Sequence, residues 1–148
     1  GEKRRIQVSV WDLKKTSKGK YSCVAVVNLH LSWQGSAVRY REAQWINEWI
    51  DRRKKLCPNW LLVGDFNADE KSAEMEFFFS EGYRNLYRVM RPTVFPENRI
   101  RSTYGKIKPQ TIDWALAKGF APEARTVFDD EVSGQWLSDH AGVWIEVF

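Results

Sequence analysis

The sequence predicts an α/β fold in which strands form a sheet and helices cover it. Three observations support this prediction. Two apolar strand patterns occur near the start of the chain, a helix pattern with an apolar face follows them, and shorter strand patterns alternate with helix and loop signals to the end. The chain has 148 residues, 43% of them apolar, which suits the core of one domain. We therefore predict a single domain over residues 1–148.

The first two strands are predicted at residues 6–11 and 21–31. In the first strand, apolar and polar residues alternate, which is the period of a half-buried strand. The second strand is apolar almost throughout, as expected of a central strand. Turn-forming residues lie between them at 16–20, so the two strands are predicted to pair as a hairpin.

A helix is predicted from Ser36 to Leu56 because its apolar residues recur at helical spacing. Its apolar face consists of Ala43, Ile46 and Ile50, extended by Trp45 and Trp49. The basic run Arg52-Arg53-Lys54-Lys55 is predicted in the last turn, where it interacts favourably with the negative end of the helix dipole. A role of this run in nucleic-acid binding is the alternative.

The rest of the chain predicts short strands, one further helix and a long loop. Pro58 ends the first helix. The predicted elements are a buried strand at 60–63, a helix at 70–81 that stops at Gly82, an irregular loop with three prolines at 91–109, and strands at about 110–117, 124–128 and 142–148.

Composition excludes several classes of protein. No stretch approaches the roughly 18 consecutive apolar residues that a membrane-spanning helix needs, so we predict no membrane span. The two cysteines are too few for a disulfide framework and lack metal-ligand spacing. The net charge of +4 is a mild bias toward anionic partners.

Polar residues interrupt or follow apolar strands in four places. These are Asn28-Leu29-His30-Leu31, Gly64-Asp65-Phe66-Asn67-Ala68, Ile112-Asp113-Trp114 and Ser138-Asp139-His140. A carboxylate or imidazole beside a buried strand is costly unless it is paired or binds a metal, so the four places are predicted to converge on one site. The alternatives are purely structural: Asp65 and Asn67 cap the next helix, His30 is a satisfied polar residue at a strand end, and residues 138–140 form a turn. An Asp inside a strand, as at Asp113, is harder to explain structurally.

In this order, the four motifs resemble the endonuclease/exonuclease/phosphatase superfamily, which includes deoxyribonuclease-I-like nucleases, abasic-site endonucleases, neutral sphingomyelinases and inositol-polyphosphate phosphatases. The resemblance runs from about residue 6 to Phe148. It implies a four-layer α/β sandwich, with a mixed, mostly antiparallel sheet flanked by helices. This chain resembles the second half of that sandwich. The first half, which carries the principal magnesium-binding Glu, has no counterpart before Asn28, so we expect an incomplete domain: a fragment, or a split form completed by a partner chain.

The resemblance implies metal-assisted hydrolysis of phosphate esters and assigns a role to each residue. Among the catalytic residues that it implies, Asp65 deprotonates the attacking water, and Asn67 holds that water and a phosphate oxygen. His140 donates to the phosphoryl oxygen, and Asp113 pairs with the other ring nitrogen of His140. His30 is a second donor near the leaving oxygen. Asp139, Asp65 and Asn67 are expected to bind Mg²⁺, or Mn²⁺ in its place. Asn28 is expected to be a supporting polar group that contacts substrate.

Basic residues and aromatics are interleaved between residues 84 and 108, including Arg99, Arg101 and Tyr104. This pattern suits a nucleic-acid backbone with unstacked bases, so we predict a nucleic-acid substrate bound by these residues. The alternative for the segment is a solvated loop whose aromatics pack on the core. For the whole chain, the alternatives are hydrolysis of inositol phosphates or phospholipids, a non-catalytic phosphate- or nucleic-acid-binding module, and a structural half-domain that completes its sheet with another chain.

Overall fold

The computed structural model describes residues 5–13, 23–87, 89–94, 109–122, 124–129 and 138–147. Within these ranges the elements, in chain order, are β1 (Gln7–Asp12), β2 (Cys23–His30), α1 (Ser36–Asp51), β3 (Trp60–Asp65), α2 (Ala73–Ser80), β4 (Arg84–Asn85), β5 (Asp113–Lys118), β6 (Ala124–Asp129) and β7 (Gly142–Val147).

Five of these strands form one sheet in the order β1-β2-β3-β5-β4, and β6 pairs with β7 in a separate ribbon. β2 and β3 are parallel, with α1 as the crossover between them, and every other pair is antiparallel. The prediction of a mixed, mostly antiparallel sheet flanked by helices is confirmed. β1 and β2 pair as predicted, whereas the predicted turn at 16–20 lies outside the described residues.

The position of β2 explains its apolar sequence. It lies between β1 and β3, and Ala25 and Val27 are fully buried opposite Trp60 and Leu62 of β3. The ring of Trp49 on α1 meets the Trp60 ring edge to face at 6.1 Å, so α1 packs on this face of the sheet. Alternate residues of β2 point to the other face, because side chains of a strand alternate.

The first helix ends at Asp51, earlier than the predicted Leu56. The basic run from Arg52 to Lys55 therefore lies in the turns after α1, and its prediction as the last helical turn is wrong. These turns bring the chain back toward the sheet. The backbone carbonyl of Asn59 accepts from the N–H of Ala25, and the Asn59 side chain donates to the Cys23 carbonyl, both at 2.8 Å. Such tertiary contacts override helical periodicity.

Trp45 does not join the buried face of α1. Its side chain is 59% exposed, while Trp49 is partly buried against the core. The prediction that both tryptophans extend the apolar face is therefore wrong for Trp45. Trp45 and Trp49 are four residues apart, slightly more than one helical turn, so they point in somewhat different directions. The buried stripe centred on Ile46 and Ile50 therefore includes Trp49 but not Trp45.

A disulfide joins Cys23 to Cys57, with the two Cα atoms 6.0 Å apart. The sequence analysis did not predict it, because cysteine spacing alone shows no pairing. The parallel alignment of Ala25 with Trp60 brings the two cysteines together at the start of β2 and β3. The bond closes a loop between residues 34 positions apart, which the chain-entropy account values at about 3–4 kcal/mol of stability.

The second helix begins at Ala73, and Ser72 is its N-cap, accepting from the N–H of Met75. Glu74 in its first turn is completely buried and accepts hydrogen bonds from Ser36 and Arg39 of α1. Burial alone raises the pKa of the Glu74 carboxyl, but these hydrogen bonds outweigh burial and lower it. The helix predicted at 70–81 is thus confirmed with a later start, and a buried ionised carboxylate ties it to α1.

The strand predicted at about 110–117 begins at Asp113, so Asp113 is its first residue and not an interior one. The fully buried Thr93 accounts for this start. Its hydroxyl oxygen accepts from the backbone N–H groups of Ile112 and Asp113, at 3.1 and 3.0 Å. The backbone donors at the entrance to β5 are thereby satisfied by a side chain.

Gly64 allows β2 and β3 to lie close together next to the polar end of the sheet. Its φ of 130° is disfavoured for any residue with a Cβ atom. A Cβ atom at this position would also lie far inside van der Waals contact with the Leu29 carbonyl oxygen of β2. Glycine at position 64 therefore meets both a backbone and a packing requirement.

Replacing Gly64 by alanine should destabilise the protein by at least about 2 kcal/mol, because a strained backbone and a steric clash add. Gly82→Ala is the matched control, since Gly82 also has a positive φ but open space where a Cβ would stand. Urea unfolding of both variants measures the difference. Equal losses in the two variants would show that the contact with β2 is unimportant.

Candidate functional site

Three of the predicted site residues lie side by side on adjacent strands. His30 of β2 is aligned with Asp65 of β3, and Asp65 is aligned with Asp113 of β5. Directly aligned residues on neighbouring strands project to the same face of a sheet. β2 and β3 end where β5 begins, so the three side chains share one end of one face.

Asp65 lies between a histidine and a backbone donor. Its Oδ2 is 3.5 Å from Nε2 of His30, and its Oδ1 accepts from the N–H of Asn67 at 2.7 Å. The Asp65 side chain is 18% exposed and that of His30 is 60% exposed. Both carboxylate oxygens of Asp65 therefore have a neighbouring group that orients them, while the His30 side chain faces solvent.

Asn67 fixes the loop after β3 against the end of β2. It has a φ of 49°, in the left-handed region that Asn tolerates better than most residues. Its Nδ2 donates to the Leu31 carbonyl at 2.9 Å, and the Leu31 N–H donates to the Asp65 carbonyl at 2.9 Å. Asp65 and Asn67 are not caps of α2, since Ser72 is the cap.

His140 and Asp113 form a close pair, with Nδ1 of the ring 2.9 Å from Oδ2 of the carboxylate. His140 belongs to a segment outside the five-stranded sheet and reaches it through Val94 and Thr93. It forms a β-bridge with Val94, and the following residue, Ala141, donates to the Thr93 carbonyl at 2.7 Å. Because Nδ1 faces Asp113, Nε2 is the ring nitrogen available to a ligand.

The electrostatics of the site follow from two carboxylates aligned across β3 and β5. Burial raises the pKa of Asp65, and the nearby Asp113 raises it further, against the lowering effect of the Asn67 N–H. The hydrogen bond to Asp113 raises the pKa of His140 and outweighs the opposing effect of burial. The imidazolium form of His140 is thus stabilised beside two acidic groups.

Two residues that the sequence analysis did not assign to the site position Asp113. The hydroxyl of Tyr87 donates to the Asp113 carbonyl at 2.8 Å, and the Tyr87 ring stacks on the Trp114 ring at 5.9 Å. Thr93 accepts from the Asp113 N–H. Tyr87 falls within the basic and aromatic segment 84–108, but it is only 7% exposed, so for this residue the alternative of packing on the core holds. No periodic signal marks either residue.

Asn28 lies on the same face as His30, two residues earlier on β2, and is exposed. It lines a groove of about 400 Å³ together with Gly64, Tyr87, Asp113 and Ala141. Asp139 is half-buried and immediately precedes His140. Arg99, Arg101 and Tyr104 lie outside the described residues, so their contact with substrate stays a prediction.

The residues at this end of the sheet suit a divalent cation. One ligand atom each from Asp65, Asp113 and His140 lies within 4.8 Å of the others. Asp139 is not a member of this group in the described part of the chain. Carboxylate oxygens are the ligands that Mg²⁺ and Mn²⁺ prefer, and two aligned carboxylates repel each other unless positive charge lies nearby. The Asp65 carboxylate, with Asp113 beside it, therefore fits such a cation, whereas His140 in its imidazolium form does not bind a metal.

Asp113→Asn should lower the pKa of His140, because it removes the charged acceptor of the Nδ1 hydrogen bond. Because the folded-state pKa of His140 is raised, the pair stabilises the fold fully below the ordinary histidine pKa of 6.5, and this stabilisation is lost as pH rises through the folded-state pKa. NMR titration of the ring protons in EDTA measures both variants, with His30→Gln to assign the two histidines. The exposed Asp69→Asn is the control. An unchanged His140 pKa in Asp113→Asn would contradict this account.

Within the described residues, no helix is both long and apolar enough to cross a membrane. A comparison with curated protein sequences finds no significant match. Solved structures do resemble the chain. Beta toxin from Staphylococcus aureus matches with a TM-score of 0.70 and 16% identity, over 97% of this chain and 57% of its own. A conserved protein of unknown function from Enterococcus faecalis matches with a TM-score of 0.68 and 22% identity, over 88% and 52%.

A mannosyl-6-phosphatase from Bacteroides thetaiotaomicron also matches, with a TM-score of 0.63 and 19% identity, over 90% of this chain and 54% of its own. At these identities the likeness shows the fold alone, and the chain spans about half the length of the structures it matches. The model of the Endonuclease/Exonuclease/phosphatase family matches residues 4–140, nearly the whole sequence. The chain therefore belongs to the endonuclease/exonuclease/phosphatase family.

Proposed function

We propose that this chain carries catalytic residues of a metal-dependent phosphodiester hydrolase that acts on nucleic acid. The family consists largely of hydrolytic enzymes, and the observation that carries the proposal is the Asp113–His140 pair beside Asp65. A module that only binds phosphate has no need of a carboxylate paired to an imidazole. The pair therefore argues against the non-catalytic and purely structural alternatives.

Asp65 is the proposed general base. It accepts a proton from the attacking water while the water oxygen forms a bond to phosphorus and the bond from phosphorus to the leaving oxygen breaks. Burial and the neighbouring Asp113 raise the pKa of Asp65, which increases its basicity once it is ionised. The N–H of Asn67 holds Oδ1, so Oδ2, which is 3.5 Å from Nε2 of His30, is the oxygen proposed to accept the proton.

His140 is the proposed donor to the phosphoryl oxygen on which charge develops. Asp113 accepts from Nδ1, which fixes the ring orientation and keeps Nε2 protonated for donation. Tyr87 and Thr93 bond the backbone of Asp113 and so position the pair. A donor that is already oriented needs no rearrangement when the charge develops.

His30 and Asn28 are proposed to contact the substrate from β2. His30 lies next to Asp65 and is exposed enough to donate to the leaving oxygen. Asn28 lines the groove beside Asp113 and supplies a supporting polar contact. Asn67 uses one amide hydrogen on Leu31 and keeps its second hydrogen for water or a phosphate oxygen, while its amide oxygen is left for a cation.

The proposed cation ligands are the Asp65 carboxylate, the amide oxygen of Asn67 and Asp139 beside His140. A bound Mg²⁺ or Mn²⁺ supplies positive charge to the phosphate oxygens. Asp113 is not proposed as a cation ligand, because its Oδ2 is hydrogen-bonded to His140. The aligned carboxylates of Asp65 and Asp113 would favour a cation at this end of the sheet.

Nucleic acid is the proposed substrate because of the basic segment between residues 84 and 108 and the net charge of +4. The likeness to a mannosyl-6-phosphatase favours a second candidate, hydrolysis of phosphate monoesters. The two candidates share the same residues on phosphorus and differ in what surrounds the phosphate. A comparison of oligonucleotides with sugar monophosphates as substrates separates them.

In the natural polypeptide, Asp65→Ala and His140→Ala should each lower the rate of oligonucleotide hydrolysis about 100-fold or more, since each removes a proton acceptor or a charge-stabilising donor. Asp69→Ala, in the same loop and exposed, is the matched control and should retain the wild-type rate. EDTA should abolish hydrolysis, and added Mg²⁺ or Mn²⁺ should restore it.

Wild-type rates in both the Asp65 and the His140 variants would exclude the proposed catalytic residues. Hydrolysis of sugar monophosphates with no cleavage of oligonucleotides would replace nuclease activity with the second candidate. Full activity in EDTA would remove the metal from the proposal.

A further inference from the structure

Trp33 is a large apolar side chain left in solvent three residues after His30. It is 68% exposed and lies in the turn between β2 and α1. Such turns favour small polar residues, and an exposed indole forgoes the free energy that its burial would gain. A tryptophan in this position therefore lacks a structural reason within the described fold.

The backbone of the turn is fixed next to Trp33, because Ser32 makes three hydrogen bonds. The Ser32 N–H donates to Oε2 of Glu42 at 2.8 Å, its carbonyl accepts from Nη1 of Arg39 at 3.3 Å, and its hydroxyl oxygen accepts from the N–H of Gln34 at 3.2 Å. Ser32 itself is only 3% exposed. A ligand that packs on the ring therefore orders the side-chain torsions of Trp33 but need not order the backbone of the turn.

The same turn follows Leu31, the residue that fixes the loop from Asp65 to Asn67. Leu31 donates to the Asp65 carbonyl and accepts from the Asn67 side chain, each at 2.9 Å. Trp33 follows two residues later, so its backbone lies within about 7 Å of the Leu31 backbone. The ring is thus tied through a short, fixed piece of chain to the two residues proposed to act on phosphate.

We propose that Trp33 is a substrate-binding residue on which the nucleobase next to the reacting phosphate stacks. The inference deepens the proposed function and rests on it. Nucleobases stack on aromatic side chains whatever their sequence, which suits a hydrolase whose reacting residues read only phosphate. Trp33 then recognises the nucleotide, whereas Asp65 and His140 act on the phosphorus.

A nucleobase fits the surroundings of Trp33 better than a lipid surface does. The residues next to Trp33 in the chain are Ser32, Gln34, Gly35 and Ser36, which are polar or small. Insertion into a bilayer interface relies on a larger apolar face. A single exposed ring on an anchored turn can stack on one base, as aromatic residues that bind single-stranded nucleic acid do.

The test compares Trp33→Ala, Trp33→Phe and the matched control Trp45→Ala in the natural polypeptide. Trp45 is 59% exposed on the outer face of α1, and so resembles Trp33 in exposure but not in place. The substrates are a short oligothymidylate and the same oligonucleotide with an abasic residue on either side of the scissile phosphate. Trp33→Ala should raise KM for the first substrate about 5- to 150-fold, with a smaller change in kcat. Trp33→Phe should restore most of the loss, and Trp45→Ala should behave as wild type.

On the abasic substrate, Trp33→Ala and wild type should have equal KM values. An unchanged KM for oligothymidylate in Trp33→Ala, or an equal loss on both substrates, would overturn the stacking role. So would a loss confined to hydrolysis of phosphatidylcholine vesicles, which would assign Trp33 to a lipid contact.

Failure of the proposed function gives a different result. If the wild-type protein cleaves no oligonucleotide, tryptophan fluorescence titrated with thymidine 5′-monophosphate still tests the stacking. Quenching in wild type and in Trp45→Ala, but not in Trp33→Ala, supports the base-binding role without nuclease activity. Equal quenching in all three proteins overturns it.

Discussion

The alignment of β2, β3 and β5 is the constraint on which the site depends. It places His30, Asp65 and Asp113 in a row on one face of the sheet. A shift of β3 by one residue would turn Asp65 to the opposite face, toward the helices. Gly64 permits the close approach of β2 and β3. The Leu31 N–H donates to the Asp65 carbonyl, and the N–H of the next residue, Phe66, donates to the Ile112 carbonyl just before β5. The chemistry of the site is thus a consequence of strand pairing.

The same alignment brings two carboxylates together, which opposes folding, and the fold compensates with hydrogen bonds and a histidine. The Asn67 N–H bonds Asp65, and His140 pairs with Asp113. The histidine arrives from the segment before β7, so the five-stranded sheet and the β6–β7 ribbon both contribute to the site. Residual negative charge at Asp65 is what a divalent cation would neutralise. Placing the Asp65 and Asp113 carboxylates side by side therefore costs stability, whereas the proposed catalysis requires both of them there.

Hydrophobic period predicted most of the fold, because β2, β3 and α1 bury residues in regular patterns. The four polar interruptions predicted the location of the site, since a polar group at a strand end is conspicuous in an apolar sequence. Three features were beyond reach: the end of α1 at Asp51, the Cys23–Cys57 bond and the role of Tyr87. Each is decided by contacts between segments distant in sequence, which leave no local pattern. The single-domain prediction and the substrate role of Arg99, Arg101 and Tyr104 stay predictions.

The most direct test of a single site is paramagnetic broadening of the two histidine signals by Mn²⁺. His30 and His140 are the only histidines in the sequence and come from different parts of the fold. If the sheet unites them around one cation, substoichiometric Mn²⁺ should broaden both ring signals with the same concentration dependence, and Asp65→Asn should abolish both effects. Broadening of only one histidine, or broadening of both that persists in Asp65→Asn, would contradict the single site.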